Sequence, residues 1–282
     1  MRLGFHLSIA GSLSLALRQA RTLGCQALQI FVQNPRQWQW RPVAAAQIRE
    51  FVTARRELGI GPLVIHLGYL PNLAAGEARL YRRSRERLLR ELVLARELEA
   101  DFLVCHPGHA WPEEGGLVRA ARALAQAVAQ VPPPPLVLLE NTAGQGRELG
   151  WRLAQLGDIL EKSAVPLGLC LDTAHAYAAG YDIRRGAGVN RLLGEIAQGP
   201  GVSRIKLIHL NDSRGGLGSR VDRHQQLGQG NIGLEGFREF FSHPLINPEA
   251  VIMETPRRHR ADEWHNLLVA RNLIGQSLLS LN

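Results

Sequence analysis

Nine side chains of the kinds that bind metal ions stand at or just beyond the ends of short apolar runs in this sequence. They are five histidines and four carboxylates: His66, His106, Glu140, Asp172, His175, His209, Asp222, His224 and Glu254. Imidazole and carboxylate groups without thiolate suit Zn, Mn or Fe(II). Nine ligands are too many for one tetrahedral ion, but they could hold two or three ions if a carboxylate bridges. The residue types therefore predict a multinuclear metal site, provided that the fold gathers them in one pocket.

A multinuclear site of this composition favours hydrolysis of a phosphoester. Three divalent ions and four carboxylates would leave a net charge of about +2, which attracts an anionic substrate. A metal-activated water would be the nucleophile, and the other ions would stabilise the charge on the transition state and on the leaving oxygen. This chemistry requires no serine or cysteine nucleophile.

Eight apolar runs predict the strands that would position the ligands. They span residues 3–6, 27–32, 63–66, 102–106, 136–140, 167–172, 205–209 and 251–254. Segments with helical periodicity lie between them, at 44–58, 77–98, 117–131, 151–162 and 261–280. The 282 residues give about 35 per strand and helix unit, and the total is near the roughly 250 residues typical of a (β/α)8 barrel. The prediction is an α/β fold, a single TIM barrel that forms one domain over residues 1–282.

Such a barrel would bring the ligands together. Catalytic residues of (β/α)8 barrels project from the C-terminal ends of different strands onto one face. Six successive runs, the third to the eighth, end in a residue of ligand type: His66, His106, Glu140, Asp172, His209 and Glu254. A single histidine or glutamate at a strand end is ordinarily a capping or hydrogen-bonding group, but six in succession are not explained that way. The active site is therefore predicted at the C-terminal ends of the strands.

Short motifs surround these ligands. In chain order they are HLGYL at 66–70, ENTAGQG at 140–146, LDTAH at 171–175, HLNDS at 209–213, DRH at 222–224, GQG at 228–230 and ETP at 254–256. Together they resemble the motifs of endonuclease IV, the second family of AP endonucleases, and they span almost the whole chain.

The resemblance implies a zinc-dependent DNA repair hydrolase, an apurinic/apyrimidinic-site endonuclease. Such an enzyme cleaves the phosphodiester 5′ to abasic sites in duplex DNA, leaves a 3′-OH and a 5′-deoxyribose phosphate, and removes 3′-blocking groups during base excision repair. The implied partner is double-stranded DNA with abasic sites or 3′-blocked ends, bound by a cytoplasmic, nucleoid-associated monomer. No membrane partner is expected, because no apolar run is long enough to span a bilayer.

The resemblance divides the nine ligands among three Zn2+ ions, with Mn2+ as an alternative at one position. The first ion would be held by His66, His106 and Glu140, the last of which is the bridging, catalytic ligand. A second ion would be completed by Asp172, His209 and Glu254. The third would be held by His175, Asp222 and His224.

Three loop residues match the family positions that contact DNA. Arg36, Tyr69 and Leu70 would enter the duplex at the lesion and help to displace the abasic nucleotide, as wedge residues do in proteins that deform DNA. Ordinary loop packing is the alternative for Tyr69 and Leu70. Further phosphate contacts are expected from rim arginines: Arg214, Arg220 and Arg223.

The overall charge favours a polyanionic partner. The formal net charge is +8 and the pI is about 10.2, which promotes DNA binding through counterion release. The densest basic stretch, residues 79–96, is interleaved with glutamates. That pattern predicts a solvated outer helix face with i,i+4 ion pairs and no DNA contact.

Several other residues have weaker signals. His109 departs from the family, which follows His-Pro-Gly with a small polar residue; it could hydrogen-bond to a ligand, contact DNA or lie exposed. His6 is predicted to support a ligand rather than to bind metal. The three cysteines form no Cys-x-x-Cys pair and are predicted to be buried, reduced thiols that bind no zinc: Cys25, Cys105 and Cys170.

Two other classes of function remain open from the residues. A metal-dependent sugar isomerase or epimerase on a similar barrel could use four of the ligands: Glu140, Asp172, His209 and Glu254. The other five ligands are more than such an enzyme needs. A basic DNA-binding module with structural metals is the non-enzymatic alternative, but structural zinc sites are closed and mostly thiolate-ligated.

Overall fold

The computed structural model describes residues 1–10, 12–257 and 260–275, and eight parallel strands close into a barrel at its centre. Its strands follow one another in chain order: β1 (Arg2–Leu7), β2 (Ala27–Ile30), β3 (Leu63–His66), β4 (Phe102–Cys105), β5 (Leu136–Glu140), β6 (Leu167–Asp172), β7 (Ile205–His209) and β10 (Ala250–Met253). Two further strands, β8 (Asp212–Ser213) and β9 (His224–Gln225), form a separate antiparallel pair. Pairing of β1 with β10 closes the ring. The predicted TIM barrel is confirmed.

The interior of the barrel is a packed apolar plug. It is formed by Ala27, Val64, Phe102, Val104, Leu138, Cys170, Leu207, Ala250 and Ile252. Gly4 on β1 also faces inward, and a β-carbon there would lie 2.0 Å from the carbonyl oxygen of Ala27, so only glycine fits. Because this plug fills the barrel, a polar pocket has room only at the mouth.

Helices surround the barrel and cover the outward faces of the strands. They are α1 (Leu13–Leu23), α2 (Ala45–Glu57), α3 (Ala78–Glu97), α4 (Glu113–Ala129), α5 (Leu153–Ser163), α6 (Thr173–Ala179), α7 (Gly186–Gln198), α8 (Gly233–Ser242) and α9 (Arg260–Leu273). Capping residues set the ends of α1. Ser12 caps its N-terminus, because the Ser12 hydroxyl accepts a hydrogen bond from the Leu15 amide at 3.1 Å. Gly24 caps its C-terminus with a φ of 69°.

The predicted helix 117–131 misses the first turn of α4, because that turn is Glu-Glu-Gly-Gly and carries no apolar periodicity. Four helices, α1, α6, α7 and α8, lie outside the five predicted segments, and glycines interrupt the apolar pattern of α7 and α8. The last predicted helix, 261–280, corresponds to α9, but positions 276–280 lie outside the described residues.

The prediction of a solvated outer face for residues 79–96 is wrong at two positions of α3. Arg87 and Glu91 form an ion pair with side chains only 5% and 1% exposed. The exposed part of the same helix behaves as predicted, since Arg82 and Glu86 form a solvated i,i+4 pair at 4.0 Å. Periodicity places a residue on a helix face, but it does not show that loops cover that face.

All three cysteines are buried and free of disulfides, as predicted. Burial raises the pKa of Cys105 and of Cys170 to about 12, so these thiols are protonated at neutral pH and unreactive. Among the described residues, no helix has the length and apolar content needed to cross a membrane.

Candidate metal centre

The candidate ligands continue the inward-facing side of the barrel strands. Side chains alternate between the two faces of a strand, so the residue two positions after an interior residue points inward again. Four interior residues, Val64, Leu138, Cys170 and Leu207, are followed in this way by strand-terminal His66, Glu140, Asp172 and His209. His106 and Glu254 stand in the same relation to Val104 and Ile252, one residue beyond β4 and β10. The alternation of side chains along the strands therefore places six candidate ligands at the C-terminal end of the barrel.

Glu140 lies at the centre of this group and is fully buried. Its Oε2 is 3.1 Å from Nε2 of His66 and 3.4 Å from Nε2 of His106. Its Oε1 is 2.8 Å from Nδ1 of His209 and 3.5 Å from Nδ1 of His175. Because the two carboxylate oxygens face different histidines, Glu140 has the placement required of a bridging ligand.

A second group of ligand atoms adjoins Glu140. Atoms of Glu140, Asp172, His209 and Glu254 all lie within 4.8 Å of one another. His209 Nδ1 is 3.3 Å from Oε2 of Glu254. These spacings would allow one ion to be reached by all four side chains.

The third group contains the residues outside the strand ends. Asp172, His175 and His224 offer atoms within 4.8 Å of one another. Oδ1 of Asp222 lies 3.3 Å from Nε2 of His175 and 3.5 Å from Nε2 of His224. The structure thus brings all nine predicted ligands together, and Glu140 and Asp172 connect the groups.

Hydrogen bonds outside the ligand groups orient the imidazoles. Nδ1 of His66 lies 2.8 Å from the Leu67 carbonyl, so it donates there and leaves Nε2 facing Glu140. Nε2 of His209 lies 2.9 Å from Oε1 of Gln29, which leaves Nδ1 facing the carboxylates. Fixing one ring nitrogen as donor makes the other available to a metal ion.

Three carboxamides support the ligands and were missed in the sequence. Gln29 donates to Oε1 of Glu254 at 2.6 Å, and Asn211 donates to Oδ2 of Asp172 at 2.6 Å. The side chain of Asn141 accepts from the Asp172 amide at 2.7 Å. Asn141 and Asn211 lie inside the ENT and HLND motifs, and that position could have identified them as supporting residues. The only signal for Gln29 was that a polar residue occurs within an apolar strand.

His6 lies beside the ligands and touches one of them. Its Nδ1 is 2.9 Å from Oε1 of Glu254, and its ring packs against Phe31 with centroids 4.3 Å apart. This position fits the predicted supporting role.

The buried charges of the site are strongly coupled. Burial alone would raise the pKa of Glu140, but the imidazoles of His106 and His209 outweigh it and hold the pKa well below the usual range. Burial likewise opposes a charge on His175, yet the Asp172 and Asp222 carboxylates hold its pKa well above 6.5. Carboxylates that attract imidazolium this strongly would also attract a metal cation.

The donor set fits divalent metal ions. Nε2 of His224 is buried and, among the described residues, has no hydrogen-bond partner. It faces carboxylate oxygens of Asp222 and Asp172 at 3.5 and 3.7 Å. An unpartnered buried nitrogen aimed at two carboxylates is costly without a cation, and a shared ion would satisfy all three groups.

Comparisons with known proteins agree with this geometry. Residues 17–273 match the family described as a xylose isomerase-like TIM barrel. Endonuclease 4 of Thermus thermophilus is 42% identical, over 96% of this chain and 97% of its own length. This chain belongs to the endonuclease IV family.

Similarity to solved structures distinguishes the predicted endonuclease IV family from the alternative, a sugar isomerase or epimerase. Endonuclease IV from another strain of Thermus thermophilus aligns with a TM-score of 0.87 at 40% identity, covering 98% of this chain and 100% of that one. A D-tagatose 3-epimerase-like protein aligns with a TM-score of 0.75 at 19% identity, covering 98% and 97% of the two chains. The second likeness shows the fold alone. Both the family and the enzyme class predicted from the motifs, a hydrolase of the endonuclease type, are confirmed.

The residues predicted to contact DNA lie on two adjoining loops. Arg36 is exposed on the loop after β2, and Tyr69 and Leu70 follow β3. The Tyr69 side chain is 60% exposed, while its backbone amide donates to the Pro35 carbonyl at 3.0 Å. The Tyr69 ring also packs edge-on against the Phe31 ring, with centroids 5.2 Å apart, and the rest of the ring is open to solvent.

The rim arginines and His109 are exposed. Arg220 lies over the Trp151 ring, 3.9 Å from its centroid, and Arg223 donates to the Asp222 carbonyl at 2.6 Å. The backbone amide of His109 donates to Oδ1 of Asn72 at 3.0 Å. The sequence left three positions open for His109, and the structure shows it exposed on the surface.

The loop that carries Asp222 and His224 is organised around another carboxylate, Asp212. Asp212 is fully buried, and it accepts hydrogen bonds from the backbone amides of Ser213, Gly228, Gly230, Ile232 and Gly233. A β-carbon at Gly230 would lie 2.4 Å from Oδ1 of Asp212. The GQG motif therefore wraps a carboxylate, and Asp212 holds the loop independently of metal.

We expect Asp212→Ala to destabilise the protein and loosen this loop. It would leave several buried amides without an acceptor, at a cost of about 2 to 4 kcal/mol. Urea unfolding of the metal-free protein would measure the loss, with exposed Asp158→Ala on α5 as the control. A free energy of unfolding equal to that of the wild type would contradict the anchoring role.

Proposed function

We propose that this protein is a zinc-dependent AP endonuclease. It would hydrolyse the phosphodiester 5′ to abasic sites in duplex DNA, leave a 3′-OH and a 5′-deoxyribose phosphate, and remove 3′-blocking groups. The observation that carries the proposal is the convergence of nine His, Asp and Glu side chains in the barrel mouth, with Glu140 at their centre. The names of the endonuclease IV relatives support the same activity.

The ligands would divide among three ions along the groups seen in the structure. His66 and His106 would share one ion with Glu140, while Asp172, His209 and Glu254 would hold a second. His175, Asp222 and His224 would hold the third. When bound, such ions supply Lewis acidity to a phosphodiester and acidify water.

The protein's own residues would bind and orient the substrate. Exposed Arg214, Arg220 and Arg223 lie on the loop that carries two ligands, where a phosphodiester backbone must pass. Tyr69 and Leu70 would fill the gap that a missing base leaves in the stack, because an apolar side chain there replaces lost stacking contacts. The net charge of +8 would add a sequence-independent attraction.

The decisive experiment is incision of a labelled duplex that contains one abasic-site analogue, beside an undamaged duplex. Protein purified without chelator should cut only 5′ to the lesion, and a chelator should abolish cutting. A folded protein shown to contain metal that cuts neither duplex would reject the proposal and return attention to the sugar epimerase class.

Tyr69→Ala should weaken binding to the lesion more than binding to intact duplex. The ring can contribute only where the helix is opened, and one stacking side chain is worth about 1 to 3 kcal/mol. Dissociation constants for both duplexes would measure the effect, with Trp264→Ala, an aromatic side chain that is 41% exposed on α9, as the control. Equal losses on the two duplexes would remove the wedge role and leave the metal chemistry untouched.

A further inference from the structure

A buried ion pair on α3 lies outside the nine candidate ligands. Arg87 and Glu91 pair through Nε and Oε1, and both side chains are almost completely buried. Burying such a pair costs desolvation free energy that its attraction often fails to recover, so it is a poor way to gain stability. Its contacts point to another purpose.

Arg87 reaches the loop after β2. Its Nη1 donates to the carbonyl of Gln37 at 3.0 Å, next to Arg36. Its guanidinium carbon also lies 5.6 Å from the centroid of the Trp40 ring. Arg83, one turn earlier, lies 4.4 Å from the Trp38 ring centroid. Arg87 therefore holds the backbone of this loop by a charged hydrogen bond, and the arginines of α3 stack on its aromatic rings.

Glu91 holds Arg87 in place from the helix side. Its Oε1 accepts from Nε of Arg87, while its Oε2 is buried and, within the described part of the chain, has no hydrogen-bond partner. Gly68, directly before Tyr69 in the loop after β3, packs closely on the loop after β2, because a β-carbon there would lie 3.0 Å from Cα of Pro35. The Tyr69 amide donates to the carbonyl of the same proline. Arg87 thus holds the first loop next to Arg36, and Pro35 of that loop contacts the second loop at Gly68 and Tyr69.

We infer that the Arg87–Glu91 pair is a positioning device: it sets loop residues 33–41 and 66–72 relative to each other and so governs discrimination between abasic and intact duplex. This inference rests on the proposed function. The pair fixes the backbone of loop 33–41 at Gln37, and the hydrogen bond from the Tyr69 amide to the Pro35 carbonyl passes that constraint to loop 66–72.

The test compares two double variants on the same helix. Arg87→Met with Glu91→Leu removes the buried pair without stranding a charge. Arg82→Met with Glu86→Leu removes an exposed pair of the same residue types and spacing. We expect only the first to speed amide hydrogen exchange in peptides 33–41 and 66–72, and to raise KM for abasic duplex about 3- to 30-fold with little change in kcat. Metal content and thermal stability should stay near those of the wild type.

Wild-type exchange and an unchanged KM in the first double variant would overturn the inference. If that variant fails to fold, Arg87→Lys decides, since lysine keeps a charge for Glu91 but lacks the planar fork that also reaches Gln37. Arg87→Lys should speed amide hydrogen exchange in residues 33–41. If this variant has the exchange rates and the KM of the wild type, the positioning role is refuted. Failure of the wild type to incise would reject the proposed function, while the exchange comparison would still test the coupling of the loops.

Discussion

Replacing Asp222 and His224 together by alanine is expected to remove one of the three proposed metal ions and to slow incision by about three orders of magnitude. One ion contributes several kcal/mol of transition-state stabilisation in such sites, and each 1.4 kcal/mol is about tenfold in rate. His175 alone would remain at that position, and a single imidazole holds a divalent ion poorly. His175→Ala should have a similar effect.

The barrel should stay folded in this double variant. Asp212 anchors the loop through backbone amides that the variant leaves intact, and Asp222 is 46% exposed at its side chain. Metal content per chain, circular dichroism and single-turnover incision would be measured side by side. His243→Ala, a partly buried histidine that contacts Asn190, controls for the loss of a histidine elsewhere. Unchanged metal content with normal incision would show that the third position is misassigned.

The barrel and its ligands could be predicted because both follow from local pattern. Runs such as 63–66 and 205–209 are short and apolar. Each ends in a histidine that lies two positions after an interior residue and therefore faces the same side of the strand. A parallel barrel leaves one place for six such side chains. The three ligands off the strand ends, His175, Asp222 and His224, were candidates by residue type, but their grouping at one ion came only from the family resemblance, since neither periodicity nor strand position locates a side chain on a long loop.

The supporting residues could not be predicted in the same way. Gln29 is one polar residue in a buried strand, and its role depends on contacts with His209 and Glu254, far away in sequence. Arg87 and Glu91 were predicted as a solvated pair, because helical spacing is the same whether a loop covers the helix or not. Long-range coverage is a tertiary property, so a local charge pattern does not reveal it.

Glu140→Gln should have the largest effect of any conservative substitution in the site. The carboxamide keeps the shape of the side chain but removes its charge and turns one acceptor oxygen into a donor. Because the pKa of Glu140 is held well below its usual range, the wild-type side chain is ionised at neutral pH. A neutral carboxamide would bridge two cations poorly, so both ions proposed to share Glu140 should bind more weakly.

We therefore expect Glu140→Gln to fold, to lose metal from two positions and to incise at least about 1000-fold more slowly. Glu140→Asp keeps the charge, but its shorter side chain cannot reach both the His66 side and the His209 side at the present distances of 3.1 and 2.8 Å, so it should lose less metal and less activity. Glu249→Gln, an exposed carboxylate just before β10 that pairs with Lys206, is the matched control. Wild-type metal content and incision in Glu140→Gln would show that this carboxylate does not bridge, and the division of nine ligands among three ions would have to be redrawn around Asp172.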